Sequence, residues 1–159
     1  PEFRDGRSYA PRRIEDFRLY PEAAEDLFRL RAVGLALVVV TNQPDVGNGL
    51  VERGVVEAMN ERMARDLPLD RVEVCWHGQD HGCECRKPRP GMLRSAARAL
   101  GLDLARSFMV GDRAGDVEAG RAAGCRTVFI DLGYHEPRPA APDAVVRSLT
   151  EATRWILDR

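Results

Sequence analysis

An unbroken apolar run, Leu35-Ala36-Leu37-Val38-Val39-Val40, sits between Gly34 and the polar group Thr41-Asn42-Gln43. A run with no polar alternation has no face suited to water, so it reads as a strand buried on both sides, as in the middle of a parallel sheet. Parallel neighbours need long crossover connections, and the rest of the chain is patterned to supply them. Apolar residues at helical spacing (Ala24, Leu27, Phe28, Leu30) mark a helix over 22–31 that Gly34 ends. Further helices are expected over 51–65, over 91–100 with Met92, Leu93, Ala96, Ala97 and Leu100 inward, over 114–123 up to Gly124, and from Leu149 onward. Strands are expected at 71–76, 107–110 and 127–131, with a short edge strand near 144–146 behind a Pro-rich loop. This alternation predicts an α/β fold: a three-layer, Rossmann-like parallel sheet with helices on both faces.

At 159 residues and 44% apolar content the chain can bury one core, and a single domain over 1–159 is expected. Its 24 basic and 25 acidic residues nearly cancel, so no net field attracts nucleic acid or an anionic membrane, and any phosphate recognition must be local. The longest apolar run is too short to span a bilayer, and the chain does not open with a basic and apolar leader. A cytoplasmic monomer with a small-molecule substrate is the expectation.

Open parallel sheets collect ligands beyond the carboxyl ends of their strands. That rule selects three loops, 41–49, 75–90 and 111–116. In the first, Thr41 follows a strand and precedes free backbone N–H groups, so a hydroxyl and an amide can aim at one phosphoryl oxygen; a helix-capping turn is the plainer alternative. The second reads Cys75-x-His77-x5-Cys83-x-Cys85, four ligands of the type and number that a closed tetrahedral zinc site takes. His81 offers a less natural substitute ligand. A Cys83–Cys85 redox pair or buried thiols are the competing readings, weakened because Cys-x-Cys spacing suits a local bridge poorly.

Directly behind the zinc loop come Arg86 and Lys87, the latter the chain's one lysine. Arginine presents a broad planar fork and lysine a compact point charge, so a tight anionic centre can demand lysine specifically. A solvated charge pair is the bland alternative. The third loop, Gly111-Asp112-Arg113-Ala114-Gly115-Asp116, puts a carboxylate at a strand end, placed to bind Mg²⁺ or else to cap the next helix. Asp116 stands one helical turn on, where it can hold a water bound to the Mg²⁺ or brace the Lys87 ammonium.

In this order and spacing the motifs resemble the haloacid dehalogenase superfamily of phosphatases, in particular its histidinol-phosphate and heptose-bisphosphate phosphatase branch. Val38-Val39-Val40-Thr41-Asn42-Gln43 is similar to the family's second motif, Cys83-Glu84-Cys85-Arg86-Lys87-Pro88 to its zinc loop and third motif, and Met109-Val110-Gly111-Asp112 with Asp116 to its fourth. The resemblance implies that Thr41 and Asn42 bind the transferred phosphoryl group and that Lys87 neutralises it. It likewise implies that Asp112 ligates Mg²⁺ and that Gln43, Arg86 and Arg113 contact the substrate. A heptose 1,7-bisphosphate is the substrate expected, with histidinol phosphate the alternative, and Mg²⁺ and Zn²⁺ the expected metals. The family's first motif, a strand ending in Asp-x-Asp-Gly whose first aspartate attacks phosphorus, is not found; Arg4-Asp5-Gly6 is a partial echo. That central strand is expected upstream of Pro1, and 159 residues alone are expected to be inactive. Near position 48 the family more often has arginine where this chain has Asn48, which unsettles inherited specificity. Two readings compete from other classes: a non-catalytic zinc-stabilised module, which has no need of Lys87, Asp112 and Asp116 together, and a phosphoacceptor receiver domain, which leaves the zinc loop unexplained.

Overall fold

The computed structural model describes residues 2–4 and 7–159, with side chains from Tyr9 onward. Asp5 and Gly6 of the partial first-motif echo lie outside the described residues. A two-stranded antiparallel hairpin, β1 (Glu2–Arg4) and β2 (Arg7–Tyr9), precedes α1 (Ala23–Ala32). Then follow β3 (Val38–Asn42), the short α2 (Pro44–Gly47), α3 (Arg53–Asp66), β4 (Arg71–Cys75) and α4 (Gly91–Leu100). The chain continues through β5 (Phe108–Gly111), α5 (Ala114–Ala123), β6 (Arg126–Ile130), β7 (Ala144–Val146) and α6 (Leu149–Leu157).

All the strand pairings in the α/β body are parallel. β3 pairs with β4, and β5, β6 and β7 pair in that order. Helices cover both faces. On one side α4 and α5 meet, and Leu93, Met109, Ala119 and Cys125 form a cluster that Val40 joins. On the other, α1 meets α6, and Leu30, Leu37 and Ile156 pack with Phe108, Val110 and Trp155. Phe108, Met109 and Val110 therefore alternate between the two helical layers, as the pleat of a strand requires. The expected three-layer architecture is what forms.

Local departures have physical causes. The apolar run was expected to be strand over 35–40, yet the ladder occupies Val38–Asn42. Asp70 takes both backbone groups of Leu37, donating its N–H to the Leu37 carbonyl and accepting the Leu37 N–H at its carboxylate, both at 2.8 Å, so pairing with β4 starts one residue later. Cross-ladder partners Val74 and Cys75 then carry it on through Thr41 and Asn42. The strand is also half-buried along its length rather than sealed on both sides. Leu100, expected inward, is 37% exposed at the C-terminal end of α4, where Gly101 adopts a left-handed conformation and turns the chain away.

Half-burial of β3 has a direct source. Among the described residues no strand pairs with the edge of β3 opposite β4, or with the edge of β5 opposite β6. Between the two lies a cavity of about 1070 Å³, bounded by Val38, Val39 and Val40 on one wall and Phe108, Met109 and Val110 on the other, with Lys87, Asp112 and Asp116 also in its lining. Among the described residues no helix is long and apolar enough to cross a membrane.

Candidate active site and metal centre

The zinc loop is built from the end of β4. Cys75 is the strand's last residue and fully buried, and the chain then turns through Gly78 and Gly82, the latter in a left-handed conformation that favours glycine. This returns Cys83 and Cys85 to within 3.6 and 3.1 Å of the Cys75 sulfur, with His77 Nδ1 3.2 Å from Cys85 Sγ. All four ligand atoms lie within 4.8 Å of one another. Sulfurs bound to one tetrahedral zinc at about 2.3 Å stand about 3.8 Å apart, so the four atoms are disposed to hold a single zinc ion with no open position. His81 is not in the ligand set; its ring lies beside that of His77, centroids 5.6 Å apart. The four described cysteines are free thiols, so no Cys83–Cys85 bridge forms. Burial, together with its bonds to Cys75 and Cys83, pushes the Cys85 thiol up to about 12, so a zinc ion held there would have to displace a proton near neutral pH.

The loop's exit is fixed as firmly as its core. Arg89 donates to the Cys83 carbonyl at 3.0 Å and to Glu84 at 2.8 Å, and Gly91 N–H donates to the Glu84 carbonyl at 3.2 Å. A Cβ on Gly91 would lie 2.3 Å from that carbonyl oxygen, so the close approach needs glycine. Between these anchors Lys87 is held at both ends. Asn42 Oδ1 accepts its N–H and Asn42 Nδ2 donates to its carbonyl, each at 3.1 Å. Its ammonium donates to the Val40 carbonyl at 2.7 Å and pairs with Asp116 at 2.7 Å, in a position 13% exposed. The solvated-surface alternative for Lys87 does not hold.

Asp116 reaches the lysine because nothing stands above Gly111: a Cβ there would be 2.3 Å from the Asp116 carboxylate. The same carboxylate accepts the Arg113 N–H at 3.1 Å, capping α5. The expected brace of Asp116 on Lys87 is therefore formed. Asp112 does not cap the helix; Arg113 occupies that position, and Asp112 accepts the Tyr134 hydroxyl at 2.7 Å. Its carboxylate retains lone pairs for a cation, of the hard-oxygen kind that Mg²⁺ takes from one or two carboxylates plus substrate phosphate. Asp112 also helps raise the Tyr20 hydroxyl above its ordinary range, burial being the larger cause.

Gln43 donates to the Thr41 hydroxyl at 3.3 Å, and Arg113 pairs with Glu136 at 3.3 Å. Arg86 Nη1 is buried with no hydrogen-bond partner among the described residues. Tyr134 and Glu136 escaped sequence reasoning: they lie in the segment after β6, with glycine and proline but no strand or helix period. Asp131 and Arg138 close the same segment with a 2.7 Å ion pair, and together with Asp112 and Arg113 these side chains line a second, small cavity of about 100 Å³.

A lysine, a carboxylate and a hydroxyl at the carboxyl ends of a Rossmann-like sheet define a phosphoryl-handling class, and the comparisons agree. The family described as HAD-hyrolase-like matches residues 84–152. The D-glycero-beta-D-manno-heptose-1,7-bisphosphate 7-phosphatase of Pseudomonas aeruginosa is 37% identical over 126 residues, 76% of this chain and 70% of its own. The enzyme of that name from Escherichia coli K12 is 34% identical over 158 residues, 91% of this chain and 78% of its own. Among solved structures, D,D-heptose 1,7-bisphosphate phosphatase from B. bronchiseptica, complexed with magnesium and phosphate, superposes with a TM-score of 0.79 at 28% identity, over 92% of this chain and 88% of that one. The chain belongs to the haloacid dehalogenase-like hydrolases, as a phosphoric monoester hydrolase in the group of the heptose-bisphosphate phosphatases.

Proposed function

We propose that the protein is a Mg²⁺-dependent phosphatase of a phosphorylated sugar, with D-glycero-D-manno-heptose 1,7-bisphosphate as substrate and the 7-phosphate as the group removed. The observation that carries the reading is Lys87: a nearly buried ammonium, fixed between the Val40 carbonyl and Asp116, at the point where the two sheets' carboxyl ends face each other. Thr41 and Lys87 gather the phosphoryl oxygens, and Arg86, whose buried Nη1 lacks a partner among the described residues, gains one from an anionic substrate. Gln43 and Arg113 contact the remainder of the substrate. Asp112, with Asp116 behind it, would hold Mg²⁺, which would supply charge neutralisation at the phosphoryl oxygens.

The attacking group is assigned to a carboxylate on a strand lying in the cavity between β3 and β5. Support comes from the cavity itself, whose apolar walls and two edges left unpaired among the described residues suit an extended segment, and whose charged end meets Lys87 and Asp112. In-line attack forms the carboxylate–phosphorus bond as the sugar oxygen leaves with a proton from a second acid; water then cleaves the acyl phosphate to free phosphate. A zinc site built on three cysteine sulfurs needs them kept reduced, and we place the reaction in the cytoplasm.

The test is phosphate release by the full-length protein from the heptose bisphosphate, with histidinol phosphate as competitor substrate, in Mg²⁺ and after its removal. Lys87→Ala and Asp112→Ala each lower the rate by about a thousandfold or more. Activity indifferent to both substitutions overturns the assignment.

A further inference from the structure

We propose that Asn42 is a positioning residue for the ammonium of Lys87, acting through the lysine's own backbone. The proposal rests on the reading of Lys87 as the phosphoryl contact and adds how that contact is aimed. Asn42 makes a reciprocal pair with one residue: its Oδ1 accepts from Lys87 N–H and its Nδ2 donates to the Lys87 carbonyl, both at 3.1 Å. A planar amide bonded to both backbone groups of a single residue fixes the direction in which that residue's Cα–Cβ bond leaves the chain. Lys87 needs such a device because it lies in a loop, where no strand or helix ladder orients its backbone.

The two residues at the end of β3 act on opposite ends of the same side chain. Asn42 holds the lysine's backbone, while the Val40 carbonyl, two residues earlier, accepts its ammonium at 2.7 Å. The free end of a lysine with four rotatable bonds is thereby confined to a short arc, and Asp116 closes the arc from α5 at 2.7 Å. Asn42 also stands opposite Cys75 in the β3–β4 ladder, so the clamp joins the first zinc ligand to the lysine. Both polar atoms of the Asn42 side chain are engaged in this way. Only one of the two Nδ2 hydrogens is used, so the hold on Lys87 is compatible with a direct contact of the second hydrogen with a phosphoryl oxygen.

Because the chain contains one lysine, the claim can be read without substrate or turnover. Zinc-loaded protein labelled with ¹³C,¹⁵N-lysine gives a single lysine side-chain spin system. Held at both ends, Lys87 shows two inequivalent Hε resonances and slow Cε relaxation. In Asn42→Ala the two Hε resonances merge and Cε relaxation approaches that of a free lysine side chain, while the indole signal of Trp155, in the α1–α6 layer, stays in place. Asn42→Asp, which keeps the acceptor for Lys87 N–H and sets an oxygen against the Lys87 carbonyl, gives an intermediate splitting, and it carries the test if the alanine variant does not fold. Two separate Hε resonances with unchanged relaxation in a folded variant overturn the proposal. No phosphate release is measured, so failure here is distinct from failure of the phosphatase reading.

Discussion

The two walls of the central cavity bring charge to the same place by different means. The β3–β4 wall presents Lys87 from a loop knotted at four ligand atoms, stitched by Arg89 and clamped by Asn42. On the β5–β6 wall, Asp112 sits directly at a strand end, and the loop that touches it through Tyr134 is tied down further along, where Asp143 accepts the N–H and hydroxyl of buried Thr127 at 2.7 and 2.8 Å. The lesson is one of length. A carboxylate on two bonds needs only a strand to aim it, whereas an ammonium on a long flexible stem needs a rigid mount, and metal ligation is a compact way to build one from a loop.

If that contrast is right, stripping zinc damages one wall and spares the other. Chelation, or Cys85→Ser, is expected to lower the melting temperature by about 10 °C or more, because a structural site's binding energy is folding energy. Differential scanning calorimetry with and without chelator measures it; an unchanged transition removes the mount from the account. Next in size is Lys87→Arg, which keeps the charge but overfills a position made for a point cation. A loss of about a hundredfold in phosphate release is expected, with the fold intact by circular dichroism.

The remaining effects are smaller. Tyr134→Phe removes one hydrogen bond to Asp112 and is expected to change the Mg²⁺ concentration for half-maximal rate by about three- to tenfold, with little change at saturating Mg²⁺. Thr127→Val leaves Asp143 with one donor in place of two, and denaturant unfolding should register a loss of about 1–2 kcal/mol. The smallest effect is a pH dependence. The Leu37 N–H above all, and then Arg31, hold Asp70 below its ordinary value of 3.8, while N–H and hydroxyl bonds from Thr127 do the same for Asp143. Both depressed carboxylates contribute stability that is full above the ordinary carboxylate range and lost as pH falls through their lower folded values. Asp70→Asn should lower the neutral plateau of the stability curve slightly and flatten its acid limb, leaving the most acidic end nearly unchanged.

Much of this was legible in the residues. The zinc set, the strand-end placement of Thr41 and Asp112, and the singular Lys87 could be read because each rests on local spacing or on residue type. What stayed hidden depends on contacts far apart in the chain. Asn42 and Lys87 are separated by 45 positions, and nothing in Thr-Asn-Gln distinguishes an amide aimed at phosphate from one aimed at a neighbouring backbone. Tyr134 was invisible for a similar reason, being 22 residues from Asp112 in a loop without period. The start of β3 was misplaced because Asp70, a surface carboxylate by sequence, occupies the backbone of Leu37.

The cavity between β3 and β5 has apolar walls and a charged end. The protein's interior and its chemistry thus share one container, so they cannot be tuned apart. A truncation at Val39 or Met109 that relaxes the packing also changes the spacing between Lys87 and Asp112. Heat resistance and turnover should then rise and fall together across a library of such variants, and selecting for either one would select for both.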